Sequence, residues 1–339
     1  MEGGRLEVRE VLLVRRPTGW PQPSDFQLRV RSAERQPQEV LVRNLFISVD
    51  PYMRGRMNDG PSYVPPFQLD EPMTGAAVGR VVSGGGDLQT GDHVLHHLGW
   101  RDWASGPPAA FQRFDPAPGI ALSAYLGALG MPGLTAYVGL LRVAALKPGE
   151  TVFVSAAAGA VGGMVGQLAR LHGASRVIGS AGSDRKVHHL LDRLGFDAAF
   201  NYHCDDLVEQ LRLATAGQPI DVYFDNVGGE QLEAAISLLN GRGRVAMCGA
   251  ISQYNATGPG VGIRNLPLAI GRRLRLEGFL VGDHSDLAPA FRNEVEPQVA
   301  AGAIQVDETV VDGLEASPQA FIGMLRGDGV GKVVVRIPE

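Results

Sequence analysis

The stretch TVFVSAAAGAVGGMVGQLARLHG, residues 151–173, constrains this chain more than any other. A short apolar strand (TVFVS) runs into a turn built only of Ser, Ala, Gly and Val. An apolar-faced helix follows and stops at a glycine. The turn fits the spacing G-x-G-x-x-G with Ala157 in the first glycine position and with Gly159 and Gly162 present. Small residues there let the backbone turn tightly and approach a pyrophosphate, and the helix N-terminus offers unpaired N–H groups to the anion. A tight strand–helix turn in a nucleotide-free α/β protein would use the same residues. The strand–turn–helix context favours a dinucleotide.

The segments after residue 120 keep the same rhythm. RVIGS, SDRKVHHLLDRLG, AAFNY, LVEQLRLATA, IDVYFDNVG, EQLEAAISLLN and GRVAMCGA alternate strand and helix patterns. Such alternation predicts a doubly wound parallel sheet, an α/β fold of the Rossmann kind. The first ~115 residues read differently. EVLVRNLFISVD alternates apolar and polar side chains, and GAAVGRVVSGG and GDHVLHH read as strands joined by glycine turns. The chain therefore divides into a β-rich domain over 1–120 and a nucleotide-binding domain over 121–304. The tail 305–339 ends in a lone strand, GKVVVRIPE, expected to return to the first domain.

An NAD site usually carries Asp or Glu about 20 residues beyond the glycines, on the ribose 2′-hydroxyl. Here that count lands on Ser180, Ala181 and Gly182. No carboxylate stands there to repel a 2′-phosphate. Ser180 and Ser183 can donate hydrogen bonds, and Lys186 adds a positive charge at the head of the next helix. This pattern points to NADP(H). The alternative makes Lys186 a surface lysine and Asp184 the ribose ligand.

Bulk properties exclude several classes. The 339 residues carry a net charge of −5, with no basic footprint for nucleic acid. Arg15-Arg16 and Arg272-Arg273 read as solvated faces. Two cysteines, Cys204 and Cys248, cannot form a disulfide framework or a four-cysteine zinc site. The uncharged runs 116–141 and 151–169 are broken by Pro and Gly, or by the turn above, and neither reads as a membrane span. The charged start predicts no signal peptide and a cytoplasmic location. His93, His96 and His97 in DHVLHH lie on a strand pattern that sends His96 and His97 to opposite faces, so no metal site is expected.

Several longer motifs occur in order: VDPYMRGRMND, GDHV, GMPGLTAY, AAAGAVG, GSDRK, GFDAAFNY, YFDNVGG, CGAISQYN and GMLRGDGVGK. From about residue 40 to the C-terminus they resemble the zinc-free medium-chain dehydrogenases/reductases. The likeness is to the group of prostaglandin reductases, alkenal/one oxidoreductases and bacterial curcumin-reductase-like enzymes. The resemblance implies a GroES-like first domain, a Rossmann second domain and a homodimer. It also implies NADPH-dependent reduction of the carbon–carbon double bond of an α,β-unsaturated ketone or aldehyde, 15-oxoprostaglandins being one candidate.

Motif by motif, the resemblance places Gly159, Ala160, Val161, Gly162 and Gly163 on the pyrophosphate, Lys186 on the 2′-phosphate and Tyr202 near the adenosine. Asn226 joins them. Cys248, Gly249, Ala250, Ile251, Ser252 and Tyr254 fall beside the nicotinamide half, with Phe279, Leu280 and Val281. There are two departures. Gly329 stands where the family often has Asn, and the spacing from Lys186 to Tyr202 is one residue longer.

Hydride addition to an enone places negative charge on the carbonyl oxygen, which calls for hydrogen-bond donors. Relatives use tyrosine and the nicotinamide ribose hydroxyl. Tyr254 and Tyr63, both in irregular segments, are the candidates here, with packing as the alternative role of each. Tyr52, Met53 and Gly99–Ser105 are candidate pocket walls. A zinc-free quinone reductase and a non-catalytic nucleotide-binding protein remain the competing readings.

Overall fold

The structure, a computed structural model, describes residues 6–33, 38–204, 206–258, 260 and 262–338. It contains two compact units, residues 1–126 with 308–339 and residues 127–307.

The first unit is the β-rich one. Leu6–Leu13 pairs antiparallel with Phe26–Ala33 on one side and with Glu71–Pro72 on the other. A larger sheet runs in the order Glu308–Asp312, Lys332–Arg336, Val40–Ser48, Ala77–Ser83, His93–His96, Gln112–Arg113, with Trp103–Gly106 also on Val40–Ser48. Alternation in Val40–Ser48 buries Val40 and Val42, which pack with Val81, Leu88, Val94, Ala104 and Phe111.

The C-terminal strand belongs to this unit. Val334–Arg336 lies antiparallel against Phe46–Ser48. It brings a buried lysine: Lys332 Nζ donates to Val49 O at 2.5 Å and to Asp50 Oδ1 at 2.9 Å. Pairing satisfies a charge that would be very unfavourable if buried alone. It also fixes Asp50 at the entrance of the short helix Tyr52–Arg56.

The second unit holds one parallel sheet of six strands. Its spatial order is Ala198–Asn201, Arg176–Ala181, Thr151–Val154, Ile220–Asp225, Leu239–Met247, Arg275–Gly278. Counted along the chain, this is 3-2-1-4-5-6, the dinucleotide-fold order. Helices Ala160–Leu171, Asp184–Asp192, Leu207–Ala214 and Gly229–Leu238 connect the strands. The three central strands Arg176–Ala181, Thr151–Val154 and Ile220–Asp225 are largely apolar because both of their faces are covered. Phe153, Ile178, Phe200, Tyr223 and Val245 form the core, with Phe153 stacked on Tyr223 at 4.9 Å between centroids. The topological switch lies between Thr151–Val154 and Ile220–Asp225, so their carboxyl ends mark where a ligand belongs. No helix among the described residues is long and apolar enough to cross a membrane.

Candidate functional site

The nucleotide turn is shaped by its glycines. Ala156 takes a left-handed φ of +48°, and Gly159 donates its N–H back to Ala156 O at 3.0 Å. A Cβ on Gly162 would stand 2.5 Å from Ala156 O and 2.7 Å from Ala157 Cα. Both are backbone atoms, so position 162 admits no side chain. Gly163 N–H is bonded to Gly159 O at 2.9 Å. The first-turn N–H groups ahead of it, from Ala160 to Gly162, have no acceptor within the helix and line the positive end of its dipole. This cradle fits a pyrophosphate.

Three segments meet at the switch point, and hydrogen bonds join them. Asn226 donates from Nδ2 to Ser155 O at 2.8 Å and from its backbone N–H to Ser155 Oγ at 2.9 Å. Cys248 and Gly249 donate their N–H groups to Asp225 O at 2.8 and 3.1 Å. Ile251 N–H reaches Asn226 O at 3.3 Å, and Ser252 Oγ donates to Val227 O at 2.6 Å. The segment Cys248–Tyr254 is therefore hooked over the turn Asp225–Gly229. Burial, with the nearby Asp225 charge, pushes the Cys248 thiol up to about 12, so it stays protonated. Tyr254 is half-buried, and its hydroxyl accepts the Ala250 N–H at 3.4 Å. Phe279 packs edge-on against Phe224 with centroids 6.3 Å apart, Leu280 is exposed, and Val281 opens the 3-10 turn Val281–Leu287.

Asp225 is the hub, and sequence reasoning missed it. Its side chain is fully buried, and Oδ1 accepts from Gly228 N–H (2.8 Å), Val227 N–H (3.0 Å), Tyr223 Oη (2.7 Å) and Ser155 Oγ (3.3 Å). Oδ2 has no partner. Burial outweighs these hydrogen bonds and raises the carboxyl pKa above its usual range. A carboxylate closing an apolar strand just before a Gly-Gly turn was the available signal.

At the second strand, Lys186 sits in the first turn of Asp184–Asp192, and Ser183 caps that helix by accepting the Lys186 N–H. Tyr202 stands against the strand end: a Cβ on Gly182 would lie 2.9 Å from its hydroxyl. Asp184 is exposed, with Oδ1 accepting from Asn201 Nδ2 at 2.9 Å. Ser180 departs from the expectation that it donates to a phosphate. It is fully buried and donates to Gln231 Oε1 at 2.5 Å, so it ties the strand to Gly229–Leu238 instead.

The remaining candidates lie in the first unit. Tyr63 is 65% exposed, in the segment between Tyr52–Arg56 and Glu71–Pro72. Tyr52 is mostly buried, and desolvation raises its pKa. His96 is buried and His97 exposed. Asn44 Nδ2 donates to Arg101 O at 2.8 Å, which turns its Oδ1 toward His96 Nε2, also at 2.8 Å. His96 Nε2 therefore carries the proton, and Nδ1 accepts the Leu98 N–H. Burial lowers its pKa to about 3, so it is neutral. Among the described residues, no group of three His, Cys, Asp or Glu could hold a metal ion. At the family's Asn position, a Cβ on Gly329 would stand 3.1 Å from Thr309 Oγ1, which is bonded to both the N–H and the carbonyl of Val330.

Comparison with known proteins bears on this geometry. Residues 9–113 match the N-terminal domain of oxidoreductases, and residues 160–295 match a family described as zinc-binding dehydrogenase. Over 336 residues the chain is 42% identical to the NADPH-dependent curcumin reductase of Escherichia coli strain K12, covering 97% of this chain and 96% of that one. It is also 42% identical over 338 residues to the NADP(+)-dependent 2-alkenal reductase of Nicotiana tabacum, covering 97% of each. The chain is a medium-chain dehydrogenase/reductase of the prostaglandin reductase and alkenal reductase group. The crystal structure of CurA from Vibrio vulnificus in complex with NADPH matches this family member with a TM-score of 0.92 at 38% identity, covering 98% and 99% of the two chains.

Proposed function

We propose that the protein reduces the carbon–carbon double bond of α,β-unsaturated ketones and aldehydes with NADPH. One observation carries the reading. The chain matches an alkenal reductase and a curcumin reductase over nearly its whole length, and its nucleotide turn is intact at Gly159 and Gly162. The strand end at 180–182 carries no acid against a 2′-phosphate, and Lys186 stands on the following helix turn.

When bound, NADPH supplies a hydride to the β-carbon of the enone. The chain's own groups do the rest. Ala160, Val161 and Gly162 would hold the pyrophosphate through backbone N–H groups at a helix N-terminus, with Gly159 and Gly163 keeping the turn tight. Lys186 would neutralise the 2′-phosphate, and Tyr202 and Asn226 would contact the nucleotide. Tyr254 and Tyr63 are the hydrogen-bond donors to the carbonyl oxygen as it gains enolate charge. A donor placed there strengthens its bond in the transition state and lowers the barrier. The same reading has the enzyme working in the cytoplasm as a homodimer. Arg275–Gly278 ends the parallel sheet as an edge strand, and Leu266, Leu268 and the 81%-exposed Ile270 precede it.

The decisive assay follows NADPH absorbance with an aliphatic enone, an alkenal and a quinone. Turnover with the enone or alkenal well above the quinone supports the reading. Quinone turnover alone favours a quinone reductase, and no turnover with saturable NADPH binding indicates a nucleotide-binding protein.

A further inference from the structure

The first unit contains a cavity of about 450 Å³ walled by Glu10, Arg29, Arg31, Arg56, Glu71 and Arg101, with Phe67, Gln68 and Thr74. Four arginines face two glutamates there, an excess of two positive charges in a chain whose net charge is −5. The strand register explains the cluster. Arg29 lies directly opposite Glu10 in the antiparallel pair, and Arg31 is two residues on, on the same face. Arg101 arrives from a third segment through an isolated bridge to Glu10.

Glu10 does not neutralise this group. Its fully buried carboxylate takes hydrogen bonds from Arg29 Nη2 at 2.9 Å and from Arg31 Nε and Nη2 at 3.0 and 3.1 Å. That fills most of its acceptor capacity, and Arg101 Nη1 comes no nearer than 3.8 Å. Arg29 Nε and Arg101 Nε are both buried without a hydrogen-bond partner. Burial is the main influence that disfavours the Arg101 cation; the Glu10 charge, and more weakly Glu71, oppose it, while Arg31 and Arg29 add to it. Four guanidiniums that two carboxylates compensate only in part are electrostatically unfavourable around a cavity unless an anion completes the set.

The backbone is strained at the same place. Trp100 takes φ +60° while fully buried, stacked with Phe26 and edge-on to Phe321. A bulky residue pays for that conformation only where the surroundings enforce it. Its carbonyl accepts the Val11 N–H at 2.9 Å, and Asn44 holds the Arg101 carbonyl, so Arg101 is fixed beside Glu10 from both sides.

We propose that this cavity is a second binding site, for a small organic anion with two or more carboxylate or phosphate groups, separate from the dinucleotide cradle of the other unit. Planar guanidinium forks match those groups bidentately. The cavity size suits a ligand of metabolite dimensions, and Gln68 and Thr74 add neutral polar groups.

The test is calorimetric titration of the full chain, saturated with NADP⁺, using citrate and, separately, inorganic phosphate. Chloride at matched ionic strength is the control. A single saturable site is expected. Arg31→Gln, at a partly exposed position that leaves the core intact, should weaken it by roughly tenfold, the loss of one charge-assisted contact. Glu10→Gln keeps an acceptor and removes the negative charge, so it should tighten binding. Lys186→Ala, in the other unit, should leave it unchanged. Citrate saturating without phosphate assigns a polycarboxylate; phosphate saturating without citrate assigns a phosphoryl group. Absence of saturable binding for both, weakening no different from chloride (an adventitious ion only), or loss in Lys186→Ala with none in Arg31→Gln would each overturn the proposal.

Discussion

Replacing Asp225 tests how the cofactor loops are held. Asp225→Ala removes the acceptor of two backbone N–H groups, Val227 and Gly228, and of the buried Tyr223 hydroxyl. Ser155 loses little, because Phe224 O remains as a second acceptor. Each buried donor left unsatisfied costs about 1–3 kcal/mol, so three should cost at least about 3 kcal/mol. For a unit of this size, that lowers the midpoint of thermal unfolding by roughly 6–12 °C. Asp225→Asn behaves differently. It keeps Oδ1, removes a buried charge, and puts Nδ2 where Oδ2 already lacks a partner. The unpaired Nδ2 costs about 1–3 kcal/mol and the lost buried charge offsets part of it, so Asn should be less destabilising than Ala at pH 7. The pH dependence carries a sign. Because burial raises the folded pKa, the folded state holds the proton more tightly than the unfolded chain. Wild-type stability from this group is therefore present at low pH and is lost as pH rises through the folded pKa. Asn should gain on wild type over that rise. The assay is chemical unfolding of both variants between pH 4 and 8, with NADPH affinity measured by fluorescence at pH 7. Ala should bind NADPH at least tenfold more weakly, and Asn nearly normally. Equal destabilisation by Asn and Ala would show that the charge, and not the acceptor geometry, holds the turn, and would refute this reasoning.

Lys186→Ala should raise the Michaelis constant for NADPH by roughly ten- to hundredfold, the loss of one charge-assisted phosphate contact, and leave NADH nearly unchanged. Equal losses with both cofactors contradict the phosphate role. Tyr254→Phe should lower enone turnover by about 10²–10³ with NADPH affinity retained, and the double variant with Tyr63→Phe should be worse than either alone. If each single variant stays within about twofold, the donor lies elsewhere. Exhaustive dialysis against EDTA should leave activity intact; loss restored by zinc would refute the metal-free reading. His96 is held neutral with a pKa of about 3 against an unfolded value of 6.5, so the unfolded chain binds its proton first as pH falls. Stability from this site is complete above pH ~6.5 and falls toward pH ~3, by about 2 kcal/mol at pH 5. The fall from pH 7 to pH 5 should be smaller in His96→Gln, measured by urea unfolding.

Local chemistry was legible in the sequence, and long-range partnership was not. The strand–turn–helix at 151–173 declared itself because each of its requirements is local: small residues, an apolar strand, a helix to follow. Position alone narrows the cap of the helix Asp184–Asp192 to Ser183 or Asp184, and the structure has Ser183 accepting the Lys186 N–H. The tail strand 332–336 pairs with 46–48 because an apolar strand with one buried lysine needs both a sheet and a carboxylate, and Asp50 supplies the second. Ser180 misled because a serine at a strand end resembles a phosphate ligand, while its partner Gln231 is 51 residues away. Ser155 and Asp225 escaped notice for the same reason. They become neighbours only through the 3-2-1-4-5-6 strand order, which sets the first and fourth strands side by side. In the fold, all four hydrogen bonds of the Asp225 carboxylate converge on Oδ1 and come from its own turn, its own strand and Ser155 at the end of the neighbouring strand. Its place in the chemistry is thus indirect. It holds the backbone of residues 225–228 and, through its carbonyl, the start of the segment 248–254 that carries Tyr254.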